Sequence, residues 1–181
     1  MILTDREIRI ALEKAQILVS PSPSQEAFSS TSLDLTLDPI LNIYKDQMAG
    51  VEQTIDPAAQ GLDHEAVLTE LTDQKTIPED GYILNHGKLV LGWTVETIKL
   101  PLNARLAARV EGKSSLARFG LGIHITAPTI HAGYRGRIRL EIFNHNTVPI
   151  RLNAGMRICQ LIFELTLGTP DHGYQGQFLG Q

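Results

Sequence analysis

Leu33, Leu35 and Leu37 alternate with Asp34, Thr36 and Asp38 in the stretch SLDLTLDP, residues 32–39. A period of two sends the leucines to one face of an extended chain, the pattern of a half-buried strand and not of a helix. The same style returns downstream. KLVLGWTVETIKLP reads as two strands meeting near Gly92, and LAARVEG, RIRLEIFN and GMRICQLIFELTL follow, with turn residues between them. Many short strands at close spacing predict a mainly β chain, a barrel or sandwich rather than a βαβ sheet.

Helical signals are confined to two places. Thr4 begins a T-x-x-E capping box with Glu7, and Ile8, Ala11 and Leu12 follow at helical spacing, so a short N-terminal helix is expected. SPSPSQ, residues 20–25, then breaks the chain, because two prolines prevent a continuing helix. Residues 45–80 are the least patterned, and DHEAVLTELTD within them reads as one short helix. With 181 residues and no internal repeat, the chain fits one domain, 1–181.

Charge and cysteine usage exclude several functions. Net charge is −4 and the pI is near 5.8, a balance that does not point to a nucleic-acid backbone, which favours a basic face. The most basic run, RGRIR at 135–139, lies inside a patterned apolar segment and suits a local anion pocket better. Cys159 is the single cysteine, so an intrachain disulfide and a zinc site built on several thiolates are both excluded. No apolar run approaches the roughly 18 residues of a membrane span. The opening MILTDREIRIALEK lacks the basic and apolar regions of a signal peptide, so a cytoplasmic, reducing setting is expected.

KSSLARFG, residues 113–120, is the densest polar stretch. Hydroxyls, backbone N–H groups and cations are what a phosphate site needs. GKS at 112–114 resembles the end of a P-loop, but the motif's first glycine would fall at Ala107, and Gly120 and Gly122 shorten any following helix. The P-loop is rejected. A polar surface turn accounts for the same residues, and local chemistry leaves both readings open.

RGRIRLEIFN sends Ile138, Leu140 and Ile142 to one face, and Arg137, Arg139 and Glu141 to the other. The plainer reading is a solvated face with cross-strand ion pairs. The sharper one makes Glu141 a general acid/base at a pocket mouth, where burial would raise its pKa and a nearby arginine would oppose the rise. His124 and His131 flank ITAPTI without a metal-ligand spacing. The tail GYQGQFLGQ is either a frayed terminus or a glycine-hinged flap in which Tyr174 can stack.

The order of these features is more specific than any one of them. The stretch EGKSSLARFGLGIHITAPTIHAGYRGRIRLEIFN resembles the core of the dCTP deaminases, relatives of the trimeric dUTPases. That family has an [R/K]-S-S-L-[A/G]-R segment, then a G-[FYW]-x-G turn and a strand ending in L-E. Arg118 and Glu141 are 141 − 118 = 23 positions apart, which matches the family spacing. LTDREI, SLDLTL, GMRICQL and YQGQ also have counterparts, so the resemblance covers nearly the whole chain.

The resemblance implies a distorted dUTPase-like β-barrel with a short N-terminal helix, assembling as a homotrimer with nucleotide sites between subunits. It makes residues 167–181 a C-terminal flap. Lys113, Ser114, Ser115, Leu116, Ala117 and Arg118 would cradle the triphosphate, which travels as a Mg2+ complex; no protein metal ligand and no zinc are implied. Glu141 matches the catalytic glutamate, with Ser114 and Arg118 orienting the attacking water. Ala127 would line the base pocket, Arg139 and Leu140 join the substrate-binding set, Gln160 and Gln177 match nucleotide-contacting positions, and Tyr174 sits in the flap. The implied reaction is dCTP + H2O giving dUTP + NH3, supplying dUMP for thymidylate synthesis, with dTTP as a candidate inhibitor.

Three departures qualify the likeness. Lys113 stands where many members have arginine, keeping charge but losing the bidentate fork. His131 occupies the aspartate position of an I-D-x-G motif that helps dUTP-hydrolysing relatives, which argues against the alternatives of a bifunctional deaminase/diphosphatase or a dUTPase. Gly173 replaces a lysine common before YQGQ, and an upstream tyrosine is absent. A non-catalytic nucleotide-binding regulatory trimer is the reading from another class; Ser114, Arg118 and Glu141 occurring together argue against it.

Overall fold

The computed structural model of the chain describes residues 1–46 and 54–174. In chain order come α1 (Asp5–Glu13), β1 (Leu18–Ser20), β2 (Phe28–Ser29) and β3 (Ser32–Tyr44). Then follow α2 (His64–Leu71), β4 (Thr72–Thr76), β5 (Tyr82–Leu84), β6 (Leu89–Lys99) and β7 (Leu106–Gly112). The last are α3 (Ser114–Ala117), β8 (Leu121–Gly122), β9 (Thr129–Ile130), β10 (Arg135–Asn144), β11 (Ile150–Leu152) and β12 (Arg157–Leu165).

Ten strands form one curled antiparallel sheet along the path β8-β10-β6-β3-β12-β7-β9, with β1 on β6 and β2 and β4 on β3; β5 and β11 pair separately. Strand β3 is the hinge of this half-barrel. Its first half pairs with β12 and its second half with β6, and the register slips between Leu37 and Leu41. Bulges of this kind let one strand serve two walls of a curved sheet. Leu33, Leu35, Leu37, Leu140, Ile142 and Phe163 are fully buried where the walls meet. The chain is mainly β, with the short N-terminal helix burying Ile8 and Ala11.

Three expectations need correction. KLVLGWTVETIKLP is one strand, not two: a Cβ on Gly92 would stand 2.9 Å from Ile142 Cδ1 and 3.1 Å from Leu37 Cδ1. The glycine makes room for core side chains and not for a turn. Strand β3 is not half-buried at its start, because Ser32 and Asp34 are 4% and 6% exposed on the face opposite the leucines. Thr4 is the N-cap of α1 and its hydroxyl meets the Glu7 carboxylate, but the Thr4 side chain makes no cap hydrogen bond to a backbone N–H, so that half of the capping box is missing. The helix read in DHEAVLTELTD is α2, and Asp63 caps it by accepting from Glu65 N and Ala66 N. No described helix is long and apolar enough to cross a membrane.

Candidate active site

The polar face of β10 floors a cleft of about 470 Å3. Alternation on β10 decides this locally: Ile138, Leu140 and Ile142 are in the core, so Arg137, Arg139 and Glu141 face the other way and line the cleft. Leu91 of β6 lies opposite Glu141 and Trp93 opposite Arg139. Tyr44 of β3, Leu68 of α2, and Ala127, Thr129 and His131 also line it.

Glu141 is half-buried, and its Oε2 accepts from Ile125 N at 3.3 Å. The two arginines beside it are occupied. Arg139 Nη1 donates to both carboxylate oxygens of Glu65, at 3.1 and 3.2 Å, and Arg137 Nη1 lies 3.1 Å from Asp38 Oδ2. Both guanidinium carbons sit over Trp93, at 4.8 and 5.2 Å from the ring centroid. This strand face is thus a cleft floor whose arginines make ion pairs across elements.

Aromatic rings close one end. His131 stacks on Tyr174 at 5.7 Å with an 11° interplanar angle, and Tyr134 tilts against Tyr174 at 5.8 Å. Tyr174 N donates to Ala132 O at 3.0 Å, so the start of the tail is seated and not frayed. Tyr134 Oη donates to Arg137 O at 2.5 Å; burial, with Tyr174 adding, pushes this hydroxyl up to about 12. Burial also raises Tyr44, with Arg139 opposing and Glu141 reinforcing the shift.

Ala127, His131, Arg139, Glu141 and Tyr174 thus line one cleft. Leu140 points its side chain into the core, leaving only its main chain to the site. Lys113, Ser114, Ser115, Leu116, Ala117 and Arg118 do not line this cleft; they form and flank the one-turn α3, with Ser114, Ser115 and Arg118 exposed. Gln160 lies near the start of that segment, accepting from Ser32 Oγ at 2.7 Å and donating to Gly112 O at 2.9 Å. Gln177 lies outside the described residues. Tyr44, Leu68, Leu91, Thr129, Tyr134 and Arg137 also line the cleft, with Ile130 and Ile138, and the sequence had not pointed to them as site residues. Tyr134 could have been found, since it is the aromatic of the G-[FYW]-x-G turn, and Arg137 shares a strand face with Glu141. Tyr44 and Leu68 carry no local signal.

Cys159 is fully buried and burial pushes its thiol pKa up, with Glu96 and Asp34 adding to the rise. Among the described residues no three His, Cys, Asp or Glu side chains cluster to hold a metal.

The family model described as "dCTP deaminase-like" matches residues 2–166. The chain is 36% identical over 176 residues to the dCTP deaminase of Shewanella amazonensis, covering 96% of this chain and 88% of that one. It is 35% identical over 170 residues to a "dCTP deaminase, dUMP-forming" of Methanobrevibacter smithii, with 93% and 82% covered. Among solved structures, the 2'-deoxycytidine 5'-triphosphate deaminase from Agrobacterium tumefaciens superposes with a TM-score of 0.68 at 23% identity, over 91% of this chain and 48% of that larger one. A dUTPase from Staphylococcus aureus phage phi11 gives 0.52 at 12%, over 89% and 96%. The last two show likeness of fold; the family model and the identities along nearly the full length place the chain in the dCTP deaminase-like family.

Proposed function

We propose that the chain is an enzyme that deaminates dCTP to dUTP and ammonia, with Glu141 as the general acid/base. The observation that carries this reading is Glu141 itself, a carboxylate held by Ile125 N in a cleft large enough for a nucleoside, in a chain of the dCTP deaminase-like family. Glu141 takes a proton from water as it attacks C4 of cytosine and gives that proton to N3. It then takes the proton of the new C4 hydroxyl and gives it to the amino group, so that the C4 carbonyl forms as ammonia leaves and the carboxylate is regenerated. The balance is dCTP + H2O giving dUTP + NH3. The single cysteine, buried, leaves no thiolate set for the zinc chemistry of other nucleobase deaminases.

The separation of Glu141 from Ser114 and Arg118 supports a shared site. Base-side groups line the cleft, whereas Ser114 and Arg118 stand exposed outside it. In a homotrimer the 113–118 segment of one subunit would meet the cleft of the next, bringing the triphosphate with its Mg2+ to Arg118 and the cytosine to Glu141. His131, stacked on Tyr174, carries no carboxylate to place a second water at the phosphates, which favours dUTP release over dUMP formation. dTTP, with the same sugar and triphosphate, would compete for the same cleft.

Ammonia and pyrophosphate release from dCTP with Mg2+ test this together, beside Glu141→Gln. Ammonia without pyrophosphate, lost in a variant that still binds dCTP, is expected. Turnover of the variant at the parental rate would remove Glu141 from its role. Both products would make the enzyme bifunctional, and binding without either would make it a regulatory protein.

A further inference from the structure

Lys113 opens the KSSLAR segment, yet its ammonium turns inward. It ion-pairs with Oδ2 of Asp34 on β3, and the two side chains are 23% and 5% exposed. The partners lie 79 positions apart, so the contact ties the segment to the middle of the sheet. The surroundings strengthen that tie. Gln160 on β12 is paired with Asp34 on one side and Glu111 on the other, and its amide bridges Ser32 Oγ to Gly112 O. Three strands are thus linked by side chains where the segment begins.

Two consequences follow from the charges. An ammonium in contact with a buried carboxylate is largely compensated and offers little to a phosphate. Lysine is also a point donor, and Asp34 Oδ1 remains buried with no hydrogen-bond partner among the described residues, where a guanidinium fork would reach both oxygens. Arg118, by contrast, is exposed and makes no ion pair among the described residues.

We propose that Lys113 is a positioning residue: together with Asp34 it bolts the start of the 113–118 segment to β3, and its ammonium does not ligate the phosphates. The inference rests on the dCTP reading above. Its sign is opposite to that of direct ligation. If the pair is a bolt, Asp34→Asn loosens the segment and weakens dCTP binding. If Lys113 were a phosphate ligand, removing the neutralising carboxylate would free its charge and tighten binding.

Calorimetric binding of dCTP with Mg2+ to the full chain carrying Glu141→Gln decides between them without turnover. Asp34→Asn is expected to weaken Kd about tenfold or more, the scale of losing placement of a binding group. Unchanged or tighter binding overturns the proposal. Lys113→Arg is expected to keep Kd within about twofold, and to raise Tm because the fork reaches Asp34 Oδ1. A lower Tm, or binding weakened as in Asp34→Asn, overturns it as well. Should Asp34→Asn fail to fold, as circular dichroism would show, Lys113→Arg alone decides. If the Glu141→Gln parent does not bind dCTP, the functional reading falls and this inference with it; if the parent binds, only the inference is at stake.

Discussion

The backbone nitrogen of Tyr174 lies where Gly133 has no side chain: a Cβ at position 133 would stand 2.9 Å from it and 2.9 Å from Gly173 Cα. The start of the tail therefore crosses the cleft rim through a gap that only glycine leaves, and Gly133 also has φ of +86°. Tyr174 itself is held there, because its N donates to Ala132 O and its ring stacks on His131.

Gly133→Ala should unseat Tyr174 and cost about 1–2 kcal/mol from the left-handed backbone alone. Limited proteolysis should then cut after residue 167 sooner than in the parent, and the melting temperature should fall by several degrees. An equally protected tail would show that the crossing is not what holds Tyr174.

Helix α2 forms a cleft wall, yet none of its residues is buried. Glu65, half-exposed, reaches Arg139 of the floor, and Leu68 lines the cleft. Glu65→Ala should therefore speed amide exchange across residues 64–71 while moving the global melting temperature by only about 1–4 °C, since a partly exposed pair contributes ~1 kcal/mol or less. A large global shift would mean that α2 is part of the core folding unit.

Alkaline stability has a definite sign. Tyr134 is raised to about 12 and the Cys159 thiol is also raised, each by burial first. The folded state keeps both protons at pH values where the unfolded chain has lost them. Stability is thus complete below the unfolded thiol value of about 8.5 and declines as pH rises past it, with tyrosine adding above about 10. Denaturant melts from pH 8 to 11 should show this decline, and Tyr134→Phe should flatten its upper part. A flat parent profile would contradict the burial of both groups. Cys159 should react with a thiol reagent no faster than the protein opens.

Much of this architecture was readable along the chain because it depends on near neighbours. The alternation in RIRLEIFN placed Glu141 and both arginines on one face of β10, and pleating alone enforces that. The helix at 64–71 lies within the stretch DHEAVLTELTD that reads as one short helix, and the order of KSSLAR, the glycine–aromatic turn and L-E pointed to the family. Gly92 shows where local reading stops. As punctuation it suggests a turn, and only its neighbours Ile142 and Leu37, 50 and 55 positions away, reveal it as space for the core.

Asp34 is the same lesson with charge. A polar residue alternating with leucines reads as solvent-facing, yet it is 6% exposed and Lys113 supplies its counter-ion. Tyr44 and Leu68 join the cleft because β3 bends across two walls and Glu65 of α2 ion-pairs with Arg139 of β10. Side-chain period is set by each residue's own geometry and survives in the sequence; depth, ion-pair partners and cleft membership are set by which distant strands pair, and only the folded chain decides them.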